Sequence, residues 1–193
     1  ACTKLLLDLG IGQVIVCDRQ GALVPDLADM TPAQEALAAI TNPQKLSGTL
    51  ADVLCGADVL MGFSAPHCVT GDMVRTMASD AIVFACANPT PEIDPQEALR
   101  AGARIVGTGR SDTPNQINNL LAFPGIFRGA LDVRAREINE AMKVAAAYAL
   151  ADLIEPSKRS ETNIIPSVFD PRVAPAVAKA VAQAARTSGV ARL

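Results

Sequence analysis

The sequence predicts an α/β fold built on an open, doubly wound parallel sheet, and three observations support that expectation. Short β-branched runs recur at 13–17 (QVIVC), 58–61 (DVLM), 81–86 (AIVFAC) and 103–106 (ARIV), each nearly unbroken in apolar residues, as strands covered on both faces are. Helical patterns at 32–40, 49–55, 70–78 and 95–101 stand between them, and this alternation gives a parallel sheet with right-handed crossovers. From Asn118 onward the pattern turns all helical, with Ala-rich segments at 139–153 and 171–188 expected to pack over the sheet.

In chain order, residues 1–9 place Leu5, Leu6 and Leu9 at helical spacing and Gly10 stops that helix. The chain thus starts inside a helix with neither a Met nor an N-cap ahead of it, and reads as a fragment of a longer protein that lacks the first part of its fold. The run 13–17 reads as a buried parallel strand with an acid, Asp18, at its carboxyl end. Thr70 and Asp94 have the side chains and positions of helix N-caps. A length of 193 residues, half of them hydrophobic, suits one domain, with a sheet portion over 1–133 and C-terminal helices over 134–193.

Composition excludes several function classes. A net charge of −3 offers no basic field for a phosphate backbone, and 3% aromatic residues with no Trp leave no platform for stacking bases. Nucleic acid is therefore not expected as a partner, and no apolar run approaches the ~18 residues of a membrane span. The five cysteines form no C-x-x-C pair and there is one histidine, His67, so neither a disulfide framework nor a zinc site is expected. Cys17 and Cys86 lie in strand-like runs and read as small buried hydrophobes, in keeping with a reducing cytoplasmic setting.

Residues suited to chemistry cluster at the ends of the expected strands. An acid placed like Asp18 accepts hydrogen bonds from an adenosine ribose in dinucleotide-binding folds, although it would equally start a turn into Gly21. The phosphate-binding glycine loop belongs about 20 residues upstream of such an acid, ahead of Ala1. Gly10 and Gly12 do not supply it, because Ile15 occupies the third glycine position. Gly62-Phe63-Ser64-Ala65-Pro66 follows the second strand, where small residues let a cofactor approach the backbone; an ordinary turn has the same composition. His67 has no partner acid at a telling spacing and reads as a surface loop residue. Asn88, in a loop stiffened by Pro89 and Pro91, lies at the end of the third strand. Of the adjacent pair Asn118 and Asn119, one amide caps a helix while the other is available to a ligand carboxylate.

These segments, CDRQGAL (17–23), GTL (48–50) with ADVLCGADVLMGFSAP (51–66), FACANPTPEI (84–93), GTGRSDTPNQINNLLAFPGIFRGALDV (107–133) and FDPRVAPAVAKAVAQAA (169–185), together resemble bacterial malic enzymes over nearly the whole chain. The stretch 107–133 is the most specific part of the match. The resemblance implies a Rossmann-like NAD(P)-binding domain of an enzyme that oxidises malate and decarboxylates the product to pyruvate and CO2, with NAD or NADP and Mg²⁺ or Mn²⁺. It implies that Asp18, Ser64 and Ala65 line the cofactor and that Asn88 and Asn119 contact malate with Asn118 beside them. Asp18 favours a free ribose hydroxyl, hence NAD, whereas Arg19 would meet a 2′-phosphate.

In the family the catalytic Tyr, the catalytic Lys, the acidic metal ligands, and the first strand with its glycine loop lie upstream of Ala1, so no catalytic or metal residue is assigned in this chain. Tyr148 reads as a packing residue among alanines, and the five lysines as solvated surface. A homodimer or larger homo-oligomer is the expected assembly. Another NAD(P)-dependent dehydrogenase, or a noncatalytic nucleotide-binding or assembly module, are the alternatives that the residues leave open.

Overall fold

The computed structural model describes residues 1–193. Helix α1 (Cys2–Asp8) is followed by a hairpin of β1 (Cys17–Asp18) and β2 (Gly21–Ala22), then by α2 (Pro32–Ala38) and α3 (Leu50–Leu54). The central unit is β3 (Val59–Gly62), α4 (Gly71–Arg75), β4 (Ile82–Ala85), α5 (Pro95–Arg100) and β5 (Ile105–Thr108). Three helices complete the chain: α6 (Phe123–Asp132), α7 (Glu140–Ala151) and α8 (Val173–Thr187).

The strands β3, β4 and β5 form one parallel sheet in that order, with Val59, Ile82 and Ile105 in register at one end and Gly62, Ala85 and Thr108 at the other. This is the α/β architecture expected from the alternating pattern. Side chains from the strands and from α3 to α5, among them Leu54, Leu60, Val74, Val83, Ala85, Ala98 and Val106, make one buried cluster. Local signals set the crossovers. Thr70 and Asp94 cap their helices as expected, Asp94 accepting from the N–H groups of Gln96 and Glu97 at 2.9 and 3.2 Å. Thr31 and Thr49 open α2 and α3 through reciprocal capping boxes with Gln34 and Asp52.

Several expectations are corrected. Residues 13–16 are not a parallel strand: the carbonyls of Val14 and Val16 accept from the N–H groups of Asn42 and Leu23, which lie outside any strand. Only Cys17 and Asp18 pair, antiparallel, with Ala22 and Gly21, because a parallel ladder needs a neighbouring strand and none lies beside this segment. The last strand runs two residues later than expected. The N–H of Ala103 closes the end of α5 on Ala98, after Gly102 with its positive φ of 111°, and pairing starts only beyond Arg104.

The long helices do not share the sheet's core. Ala130, Met142, Ala146, Val177, Val181 and Ala185 form a separate buried cluster among α6, α7 and α8. Gly125 and Gly129, one turn apart on α6, let α8 approach, and the opposite face leaves Phe123, Phe127 and Leu131 exposed. Tyr148 is exposed rather than packed, because α7 buries Met142 and Ala146, and a residue two positions beyond Ala146 points away from that face. Cys17 and Cys86 are half-buried, not fully enclosed. The side chain of Asn115 links the two units: its Nδ2 donates to the carbonyls of Val106 and Glu161 at 3.1 and 2.7 Å, and its Oδ1 accepts from the N–H of Ile164 at 3.0 Å.

Candidate functional site

Parallel strands in register deliver their following loops to one edge of the sheet, and the crevice beyond that edge is where open α/β sheets take ligands. Gly62, Ala85 and Thr108 define that edge here. The first loop exposes Ser64 and Ala65 just past β3, and the second exposes Asn88, whose peptide bond to Pro89 is cis. The third loop leaves β5 at Thr108, which is buried and whose Oγ1 lies 3.0 Å from Oγ1 of Thr113 and accepts from the N–H of Arg110 at 3.2 Å. It returns to the same place, since the N–H of Ile117 donates to the Thr108 carbonyl at 2.7 Å. Asn118 and Asn119 follow directly, so Ser64, Ala65, Asn88 and the Asn pair all start from one end of the sheet.

The two amides differ in what they do. Oδ1 of Asn118 accepts from the N–H of Leu120 at 2.9 Å and caps the short 3-10 turn Asn119–Leu121 that runs into α6. Asn119 is exposed and its side chain makes no hydrogen bond within the chain.

Beneath the first two loops lies Glu92, which has no exposed surface. Its Oε1 accepts from the Ser64 N–H at 2.8 Å and its Oε2 from the Ala87 N–H at 3.0 Å. Burial, reinforced by this carboxylate and more weakly by Cys2, pushes the Cys86 thiol up to about 11. In the loop after β5 the Arg110 guanidinium donates to the two Asp112 oxygens from Nε and Nη2, at 2.8 and 2.5 Å, and holds that carboxyl below its usual range.

No hydrogen bond joins Asp18 or Arg19 to these loops or to the sheet edge. The exposed Asp18 carboxylate accepts from the N–H of Arg19 and from the side-chain amide of Gln34, the residue that closes the capping box of α2. Arg19 is exposed and forms no ion pair. No three His, Cys, Asp or Glu side chains converge anywhere in the chain. His67 is an exposed loop residue whose N–H donates to the Pro91 carbonyl.

Three buried polar residues that organise the site were not singled out from the sequence: Glu92, Thr108 and Asn115. Position alone offered one signal. Glu92 lies between Pro91 and Ile93, both buried, and an acid in such a setting needs hydrogen-bond partners.

A family profile described as "Malic enzyme, NAD binding domain" matches residues 8–186. The NAD-dependent malic enzyme of Geobacillus stearothermophilus is 54% identical over 192 residues, spanning 100% of this chain and 40% of that protein. The bifunctional malic/malolactic enzyme of Bacillus subtilis is 52% identical over 194 residues, spanning 100% of this chain and 47% of that protein. Relatives at lower identity include NADP-dependent malic enzymes. The crystal structure of malic enzyme from Pyrococcus horikoshii superposes with a TM-score of 0.90 at 46% identity, covering 98% of this chain and 46% of that one. The chain thus spans less than half the length of the curated relatives it matches, over a stretch that carries the parallel sheet and all three loops. Profile, sequence and fold agree that this chain belongs to the malic enzyme family, within its NAD-binding domain.

Proposed function

We propose that this chain supplies the cofactor floor and the substrate-orienting amides of an enzyme that oxidises malate with NAD or NADP and decarboxylates the product to pyruvate and CO2. The observation that supports this most directly is the common sheet edge, which presents exposed Ser64 and Ala65 after β3 and exposed Asn88 and Asn119 from the other two loops. Bound NAD(P) supplies the hydride acceptor. Ser64 and Ala65 give it a backbone surface without bulk, and Asp18 accepts from the adenosine ribose, an acid there favouring NAD over a 2′-phosphate. Asn88 and Asn119 donate to malate from two strand ends and fix its orientation, a contribution of positioning rather than of proton transfer.

The residues that move protons and hold Mg²⁺ or Mn²⁺ are expected in the family's segment upstream of Ala1, and none is assigned here. A homodimer or larger homo-oligomer in the cytoplasm is the assembly and location that fit this reading. No helix in the chain is long and apolar enough to cross a membrane.

The test is turnover by the full-length protein. L-malate with NAD or NADP and Mg²⁺ or Mn²⁺ should yield reduced nicotinamide and pyruvate in equal amounts. Reduction with a different hydroxy or amino acid would instead favour another dehydrogenase, and cofactor binding without turnover of any substrate a noncatalytic module.

A further inference from the structure

We propose that Glu92 is a positioning residue that couples the cofactor loop to the substrate loop. The inference rests on the reading of those two loops given above. Its geometric basis is a single buried carboxyl group with one oxygen on each loop. Oε1 accepts from Ser64, in the loop assigned to the cofactor, at 2.8 Å, and Oε2 accepts from Ala87, beside Asn88 in the loop assigned to malate, at 3.0 Å. The backbone ties the same segments: the Glu92 carbonyl accepts from Val69 at 3.0 Å and the Pro91 carbonyl from His67 at 3.2 Å. No hydrogen bond or ion pair links the Glu92 side chain to a cation, so its contacts are with the backbone of the two loops.

The sheet is built to admit that carboxyl. A Cβ on Gly62, the last residue of β3, would lie 2.6 Å from Cδ and 2.7 Å from Oε1 of Glu92. Glycine at 62 and glutamate at 92 are therefore one device, and any side chain at 62 displaces the carboxyl from the first loop.

The residue type follows from the two contacts. Both partners are N–H donors, so the side chain must accept at both ends, which a carboxylate does and an amide does not. In Glu92→Gln the NH2 group faces one of the two N–H groups and releases that loop. Glu92→Asp keeps two acceptors but is one methylene shorter, and cannot span from its backbone to both loops. Because each loop is held through the other's anchor, loosening one end disturbs both.

The experiment uses the full-length protein with Glu92→Gln and, as a second route that leaves Glu92 in place, Gly62→Ala. Steady-state KM values for NAD(P) and for malate are measured with backbone hydrogen exchange over 62–68 and 86–91 and with thermal melting. The expected result is a paired change. Both KM values rise about tenfold or more, the scale of one lost charge-assisted hydrogen bond, and exchange quickens in both segments. A purely structural Glu92 predicts a lower melting temperature with both KM values and both exchange rates unchanged, which overturns the proposal, as does a change confined to one loop. Should the wild-type protein not turn over malate, the reading of function fails, and exchange alone decides the coupling: faster exchange in both segments upholds it, and in one or neither removes it.

Discussion

The side-chain oxygen of Asn118 accepts a hydrogen bond from the Leu120 N–H at 2.9 Å, and by capping that turn it leaves the adjacent Asn119 amide exposed and uncommitted. Two chemically identical neighbours thus separate into a structural residue and a candidate substrate ligand. Asn119→Ala in the full-length enzyme should lower kcat/KM for malate by roughly 10- to 1000-fold, through loss of a hydrogen bond and misorientation of C2, with melting unchanged. Asn118→Ala should cost about 1 kcal/mol in stability, the usual value of an N-cap. Malate kinetics and thermal melts on both variants decide it, and normal kinetics in Asn119→Ala would remove that residue from the site.

For Asp18 the expected signature is in the cofactor's KM. The carboxylate is exposed and already oriented by Arg19 and Gln34, so Asp18→Ala should raise the KM for NAD several-fold while lowering kcat less. The same variant should narrow any preference for NAD over NADP, because it removes the charge that repels a 2′-phosphate. A cofactor KM that does not move, for either nucleotide, would show that Asp18 serves only the hairpin and α2.

The legible parts of this chain were those set by local rules. Thr70 and Asp94 showed themselves as caps, and the runs around Leu60 and Val83 as strands, because capping and apolar clustering act within a few residues. The run at 13–16 misled, since apolar, β-branched character does not say whether a strand lies alongside, and here Gln13 is exposed and Val14 to Val16 are only half-buried. Tyr148 misled because α7 is alanine-rich on every side and its pattern does not mark a packing face. The strand-end loops and their exposed residues were legible from position and resemblance. Glu92 and Asn115 were not, because each has a backbone partner far along the chain, 28 residues away for Glu92 and 46 for Asn115, a relationship that exists only once the chain is folded.

Cys86 and Cys55 should differ in reactivity. Burial and the nearby Glu92 carboxylate raise the Cys86 thiol to about 11, so at pH 8 very little of it is thiolate, while Cys55 is exposed. Alkylation at pH 8 followed by peptide mass analysis should label Cys55 well before Cys86, and the Cys86 rate should climb as the pH rises toward 11. Equal rates at pH 8 would contradict the half-buried placement of Cys86.

The packing of α6 on α8 should penalise two glycine-to-alanine substitutions that an isolated helix would favour. Gly→Ala in a helix interior ordinarily stabilises by up to ~1 kcal/mol, because alanine restricts the unfolded chain and favours the helix. Here the added carbon has no room. At Gly125 it would sit 2.5 Å from Cβ of Val177, and at Gly129 2.4 Å from the Ala178 carbonyl oxygen and 2.9 Å from Cβ of Val181. Both Gly125→Ala and Gly129→Ala should therefore destabilise, by about 1 to 3 kcal/mol as overpacked cores do. The obstacles differ in kind, and a second substitution separates them. Val177→Gly removes the Cβ and Cγ1 that crowd position 125, so the Gly125→Ala/Val177→Gly double variant should lose less stability than the two single losses summed. At position 129 the nearest obstacle is the Ala178 carbonyl, which no side-chain change removes, and Gly129→Ala with Val181→Gly should stay closer to additive. Denaturant midpoints of the full set measure this, and a neutral or stabilising Gly129→Ala would mean that the two helices lie farther apart than the contact between Gly129 and Ala178 requires.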